Sequence, residues 1–587
     1  MSAAPERLGA WPLPDGRVRF RLWAPAAREV ALVLSGEDLP MQPEGDGCFV
    51  ADAAAPSGAP YRFRIDGDAQ VADPASRWQP HGVDGASAVL PCDGHAWSTP
   101  EWRGRPWNEL VIYEVHAGCN DGYAGLRAQL PALAAMGITA LELMPVAQFP
   151  GRRNWGYDGV FPYAPAEVYG TPDALKALVD DAHAQGMAVL LDVVYNHFGP
   201  QGNQLAQYAP GFFIADSHTP WGQGIDFHQP QVQRFFIDNA LMWLQEYRFD
   251  GLRLDAVHAI APQDFLTQLS AAVRAAVPQE RHVHLVLENE RNQAHWLREG
   301  SYRAQWNDDF HNALHVLLTG ENEGYYADFA ADYAGHGRAA SLLARCLREG
   351  FAWQGEANGA GERRGEPSGD LSPDHFVVFA QNHDQVGNRA LGERLSTLVD
   401  PSLARLATAL TLLVPMVPLL FMGEPWQART PFLFFTDYLP PLDAAVREGR
   451  RREFAAFSAF ADPDARARIP DPNDPATFAA SKVRLPADDD AEAAATLAWF
   501  THLLALRRQC LQPGLAQARS LGTRILGEQA VQAGWQLPQG EWWLAFNAGP
   551  AEVPHGLPVG TLLVGEGESN AHVLGPGGSL RVHWVTR

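Results

Sequence analysis

A disulfide scaffold, a membrane span and a nucleic-acid surface all lack support in this sequence. Five cysteines (Cys48, Cys92, Cys119, Cys346 and Cys510) are scattered through 587 residues. Their number is odd and their spacing is not that of metal ligands, which predicts a reduced, cytosolic protein. The opening MSAAPERLGAWPLPDG has no apolar core, so no secretory leader is expected. The longest apolar run, ALTLLVPMVPLLFMG at 409–423, is too short and too proline-broken to cross a bilayer. It reads as a helix end, a turn and a buried strand. Positive charge is in deficit: 45 Lys and Arg against 68 Asp and Glu leave −23. That balance argues against nucleic acid or an anionic membrane as partner and leaves a neutral ligand unpenalised. A Gly-rich phosphate loop, a G-x-S-x-G elbow and internal repeats are absent too.

What the chain has is enough apolar residue, 46%, for a large core, and many aromatics: 18 Trp, 28 Phe and 14 Tyr. Such aromatics suit sugar stacking as well as packing. Its texture changes twice. Residues 1–95 carry short β-type runs, RVRFRLWAP, EVALVL and YRFRIDG, between Gly/Pro-rich turns, and predict a β-sandwich. Over 96–499 apolar strands alternate with amphipathic stretches such as PDALKALVDDAHAQG. Eight strand candidates lie at 110–116, 138–145, 188–197, 249–257, 284–290, 304–310, 376–384 and 417–425. That count predicts an α/β fold, a (β/α)8 TIM barrel. Residues 500–587 hold one helix and then β-like pieces (GWQLPQG, EWWLAFNAG, SLRVHWV), predicting a C-terminal antiparallel β domain. The Gly/Glu-rich stretch 352–373 reads as a loop.

The polar residues collect where a barrel does its chemistry, at the C-terminal ends of the strands. The third candidate ends in Asp192, Asn196 and His197, the fourth in Arg253, Asp255 and His258. The fifth ends in Glu288 and Glu290, the seventh in Asn382, His383 and Asp384. In GLRLDAVH the two-residue period puts Arg253 and Asp255 on one face. One such pair fits a structural ion bridge; four strand ends so furnished point to catalysis. Arg253 among the histidines disfavours a cation there. Carboxylates with His and Arg suit retaining glycoside chemistry, in which two carboxyl groups stand about 5–5.5 Å apart. Asp255 is the candidate nucleophile, with Arg253 depressing its pKa. Glu288 and Glu290 share a strand face, so spacing does not choose the acid, and repulsion between them is a source of a raised pKa. Asp384 is a third carboxylate for sugar hydroxyls and ring charge.

DVVYNH, GLRLDAVH, a Glu on the fifth strand and QNHDQVGN, in that order, resemble the four signature regions of the α-amylase superfamily. ALELMPVAQFPG, NWGYDGVFPYAP, AQWNDDFHNALHVLLTGENEGYYADF and TPFLFFTDY extend the likeness over nearly the whole chain. They are similar to its maltooligosyltrehalose trehalohydrolase family. The resemblance implies hydrolysis of the α-1,4 bond beside a terminal trehalose, with maltooligosyl trehalose and α-glucan oligosaccharides as the molecules bound. It implies Asp255 as nucleophile, Glu288 as general acid/base and Asp384 as transition-state stabiliser. Arg253, His197 and His383 would contact the sugar at the cleaved bond, over Tyr157 as platform. His258 and the WNDD segment (Trp306, Asp308, Asp309) would read trehalose. Asp192 would orient Arg253, while Trp221 would line the groove or cap a loop. Glu424-Pro425 and Glu290 depart from the family pattern near the mouth. Many superfamily members hold calcium through the DVVYNH asparagine; this group generally does not, and no metal or cofactor is expected. The rival readings are an α-glucan branching or debranching enzyme with the same triad, and a silent glycan-binding protein.

Overall fold

In a computed structural model the described residues are 7–90, 94–219, 222–330, 339–487 and 489–586. Eight parallel strands close into a barrel in chain order: Ile112–Val115, Ala140–Leu143, Ala188–Val193, Gly251–Leu254, His284–Leu287, Ala304–Trp306, Phe376–Val378 and Val417–Phe421. Each lies inside a segment that the sequence marks as a strand. The segments overrun the strands at their C-terminal ends because the polar motif residues leave the ladder there. The barrel interior is filled by inward residues of the strands, among them Ile112, Leu190, Val286, Trp306, Val377 and Leu419. Burying this apolar layer drives closure and forms a solid floor under the mouth.

In front of the barrel, two antiparallel sheets pack face to face through Phe20, Leu22, Leu32 and Phe63. Val18–Trp23, Val30–Leu34 and Pro60–Ile65 fall on the three β-type runs. The polar edge strands Glu37–Pro40 and Gln42–Gly45 are largely exposed and carry no apolar signal. Buried Arg77 fastens this sandwich to the barrel by donating to Glu246 at 2.9 Å. Behind the barrel stands a five-stranded antiparallel sheet. Its Trp542 and Trp535 indoles donate to Leu413 O at 2.8 Å and Leu347 O at 3.2 Å. Stretch 409–423 resolves as expected: the helix Pro401–Leu413, a turn and the strand Val417–Phe421.

Candidate active site

Asp192 and Arg253 are register partners on neighbouring strands, at one level and on one face. Arg253 is fully buried, and its Nη1 donates to both Asp192 oxygens at 2.8 Å and to Asp255 Oδ1 at 2.8 Å. Its Nη2 stands 3.5 Å from Glu288 Oε2. One guanidinium therefore touches three carboxylates. A buried cation needs such company. Its lower face lies on Trp306, 4.1 Å from the ring centroid. Burial lifts Asp192 to about 6 against the pull of Arg253.

Asp255 follows the strand, its amide still bonded to Val193 O at 3.0 Å. Asn196 donates to its Oδ2 at 2.8 Å and to its backbone carbonyl at 3.0 Å. The asparagine that binds calcium elsewhere in the superfamily thus holds the nucleophile candidate here. Among the described residues no group of three or more His, Cys, Asp or Glu has the arrangement to hold a metal ion. Next, Ala256 adopts the left-handed conformation (φ 42°, ψ 48°), an uncommon state for a residue with a Cβ. Its amide is pinned by Glu288 Oε2 at 2.5 Å.

Glu288 is pushed up to about 8, first by burial and then by Asp255, Asp308 and Asp384, although Arg253 opposes the shift. It therefore carries its proton at neutral pH, as a general acid must. Here the sequence reading is corrected. The strand ends at Leu287, so Glu288 and Glu290 do not share a strand face. Glu290 turns out to solvent, 70% exposed, 3.7 Å from His258 Nε2. Repulsion on Glu288 comes instead from the aspartates of three other strand ends.

Asp384 is placed by local chemistry. In NHDQ, Asn382 Oδ1 accepts from the amides of Asp384 and Gln385, and Gln385 Oε1 accepts from the Asn382 amide. This capping box starts the turn that carries Asp384. His383 Nε2 is 3.5 Å and Asn388 Nδ2 3.2 Å from its Oδ1. Tyr157 lies almost parallel to the His383 ring (centroids 5.1 Å, 21°) and donates to Asp192 Oδ2 at 2.6 Å. WGYDG forms a turn that sets the Tyr157 ring against His383. Gly156 has φ +110°, and a Cβ there would come 2.1 Å from Pro145 O. His197 is buried, its ring engaged with Asn196 Oδ1 and, at 3.0 Å, with Tyr157 O.

The WNDD segment divides. Asp308 lines the cavity described below and is raised to about 7, by burial first and then by Asp384. Trp306 is buried in the floor under Arg253. Buried Asp309 accepts from Asn292, from the Ala352 and Trp353 amides, and from Arg364. Those two are structural rather than sugar-reading, and Asp309 anchors the loop 352–373. Glu424 is buried with Oε2 on the Phe421 amide at 3.1 Å, so that departure lies beneath the mouth and not on it. Trp221 is outside the described residues.

Two buried carboxyls beside the site escaped the sequence reading. Glu114, on the first strand, accepts from His383 Nδ1 at 2.5 Å and from the His383 amide at 2.9 Å. Burial would lower His383, but Glu114 and Asp384 reverse this and hold it at about 9, so it stays charged. Glu142 faces Glu114 across the first strand pair. Among the described residues neither of its carboxyl oxygens has a hydrogen-bond partner. Burial and then Glu114 push it far above the carboxylate range, and it remains neutral. The available signal was the one that flagged Arg253: a charged residue inside an apolar strand, in IYEVH and ALELMP. Glu114 is a positioning residue. Glu114→Gln should lower kcat about 10²-fold with little change in KM. It should also drop the His383 pKa, because the largest raising charge is gone. Steady-state kinetics across pH check both; unchanged kcat rejects the role.

A parallel barrel with this carboxylate set at its C-terminal mouth, behind a β-sandwich, defines a glycoside hydrolase of the α-amylase type. Residues 115–209 match the family model for the alpha amylase catalytic domain, and residues 7–78 match carbohydrate-binding module 48, the isoamylase N-terminal domain. Malto-oligosyltrehalose trehalohydrolase of Deinococcus radiodurans is 42% identical over 86% of this chain and 83% of its own. That of Arthrobacter ramosus is 38% identical over 96% and 99%. A crystal structure of an alpha amylase candidate from Salmonella typhimurium superposes with a TM-score of 0.93 at 40% identity, covering 99% of this chain and all of that one. The chain belongs to the malto-oligosyltrehalose trehalohydrolase family.

Proposed function

We propose that this protein hydrolyses the α-1,4-glucosidic bond next to the terminal trehalose of maltooligosyl trehalose, releasing trehalose and a maltooligosaccharide. Family membership supports the substrate over the branching and debranching alternative. The chemistry rests on one observation: a single buried guanidinium holds Asp255 at 2.8 Å and stands 3.5 Å from a Glu288 kept protonated to about pH 8. Two carboxyls on one guanidinium suit the short separation of a retaining pair, about 5–5.5 Å.

In this reading the sugar at the cleaved bond lies on Tyr157, between His197, His383 and Arg253. Asp255 attacks the anomeric carbon while Glu288 gives its proton to the departing oxygen. Asp384, beside the charged His383, faces the positive ring of the transition state. Glu288, now ionised, takes a proton from the water that frees the sugar from Asp255. His258 and Asp308 are the candidates for contacts to trehalose. The work is divided among a sandwich over 1–95, a barrel over 96–499 and a β domain over 500–587. Among the described residues no helix is long and apolar enough to cross a membrane, and we place the reaction in the cytoplasm.

The test is to incubate the protein with maltotriosyltrehalose and, separately, with maltopentaose, and to separate the products. Trehalose plus maltotriose from the first and little change in the second is the expected result. Transfer products or cleavage of plain maltopentaose, without trehalose release, would overturn the substrate assignment.

A further inference from the structure

A cavity of about 720 Å³ opens beside Glu288, Asp308 and Asp384. Asp255, Tyr157 and His197 do not line it. In a retaining mechanism the acid sits over the departing oxygen, so a cavity on the acid's side and off the platform is where the leaving group goes. Its far wall is built from two segments distant in sequence. One is Glu323–Tyr326, which follows the helix Asp308–Thr319; the other is Phe454–Phe460, at and beyond the end of the helix Leu442–Phe454.

Three contacts join the segments across the rim. Tyr325 Oη donates to Glu453 Oε1 at 2.5 Å. The Ser458 amide and hydroxyl both donate to Glu323 Oε2 at 3.0 Å. The Phe457 ring sits where a side chain on residue 324 would be, since a Cβ on Gly324 would lie 2.3 Å from Phe457 Cζ. Phe457 and Phe460 in turn pack on Phe454, Ala390 and Ile469. Buried Arg450 donates to Gly387 O and Arg389 O at 2.8 Å, which fixes this wall to the segment carrying Asp384.

We infer that this clasp determines specificity: by closing the leaving-group side, it restricts the departing unit to a short chain end. A longer glucan would have to run through the Tyr325–Glu453 and Glu323–Ser458 contacts. A cavity of this size, with polar groups at one end and aromatic rings at the other, has room for a disaccharide. The inference rests on the functional reading above, which names that disaccharide as trehalose. It adds that the size limit resides in the clasp and not in the catalytic carboxyls.

The test compares the wild type with the Glu323→Ala/Tyr325→Ala/Glu453→Ala variant on maltopentaosyltrehalose and on maltoheptaose labelled at its reducing end. The variant should raise the share of departing products longer than two sugars about tenfold, chiefly maltosyltrehalose from the capped chain. An unchanged product spectrum with an unchanged Tm overturns the proposal. If the triple variant does not fold, Tyr325→Phe with Ser458→Ala removes only exposed hydrogen bonds and is read in the same way. A wild type that ignores the capped chain but cleaves labelled maltoheptaose would overturn the trehalose reading. The clasp is then judged separately, by the length of the labelled product.

Discussion

Asp255→Asn is expected to fold and to lose at least about 10⁴-fold in kcat/KM. An amide cannot displace a leaving group to form the glycosyl ester, and among the described residues no other carboxylate touches both Arg253 and Asn196. The scaffold should survive. Arg253 keeps both bonds to Asp192, so no buried charge is stranded. It can still donate to the oxygen of the new amide. The conflict is local: Asn196 presents an NH2 group to Asp255 Oδ2, where the variant carries NH2 as well. One unmet buried donor costs about 1–3 kcal/mol, a small shift in Tm for a chain of this size. Binding of a trehalose-capped oligosaccharide should persist, because the platform and cavity are untouched. Calorimetric titration with thermal melts separates the outcomes. More than 1% residual kcat/KM at a native Tm would remove Asp255 from the nucleophile role. A silent glycan-binding protein would show no wild-type turnover to lose.

The sequence carried the barrel and one side of the site because both leave local marks. Strands buried on two faces read as apolar runs, and a charge inside such a run stands out, as Arg253 and Asp255 do. The same rule applied to Glu114 and Glu142, yet their motifs lie on the first two strands, where only the apolar pattern was followed. Their partners sit hundreds of residues or a whole strand away, and His383 gives no local hint of Glu114. The Glu288/Glu290 ambiguity had a different origin. Period-two reasoning holds only inside the ladder, which ends at Leu287, so exposed Glu290 was assigned to a face it does not occupy. Trp306 and Asp309 show the complementary error: their motif lies at the mouth, but their side chains serve the floor and the 352–373 loop. The clasp was beyond reach, since no periodicity brings Tyr325 to Glu453 across 128 positions.

Glu288→Gln is the second large effect, and pH distinguishes a catalytic loss from a structural one. In the wild type Glu288 titrates near 8, so kcat/KM should fall about tenfold per pH unit above that value as the acid loses its proton. The sign follows from the role: a raised pKa keeps the acid form present below about 8, and activity disappears as pH rises through it. The variant has no proton to lose there, so its rate should be about 10²–10⁴-fold lower near neutrality and flat where the wild type declines. A substrate whose leaving group needs no proton, a maltosyl fluoride, should recover most of the loss in kcat/KM, which reports only the step that forms the glycosyl ester, because Asp255 and Asp384 still act. Its kcat stays low, since the base for the second step is gone. Equal losses in kcat/KM on fluoride and glycoside, or an alkaline limb that survives the substitution, would show that Glu288 is not the acid. Asp308→Asn supplies the electrostatic control. Asp308 is one of the charges that raise Glu288, so removing it must lower the Glu288 pKa and move the alkaline limb to lower pH. A limb that stays in place would mean that burial, the larger cause, holds the proton by itself.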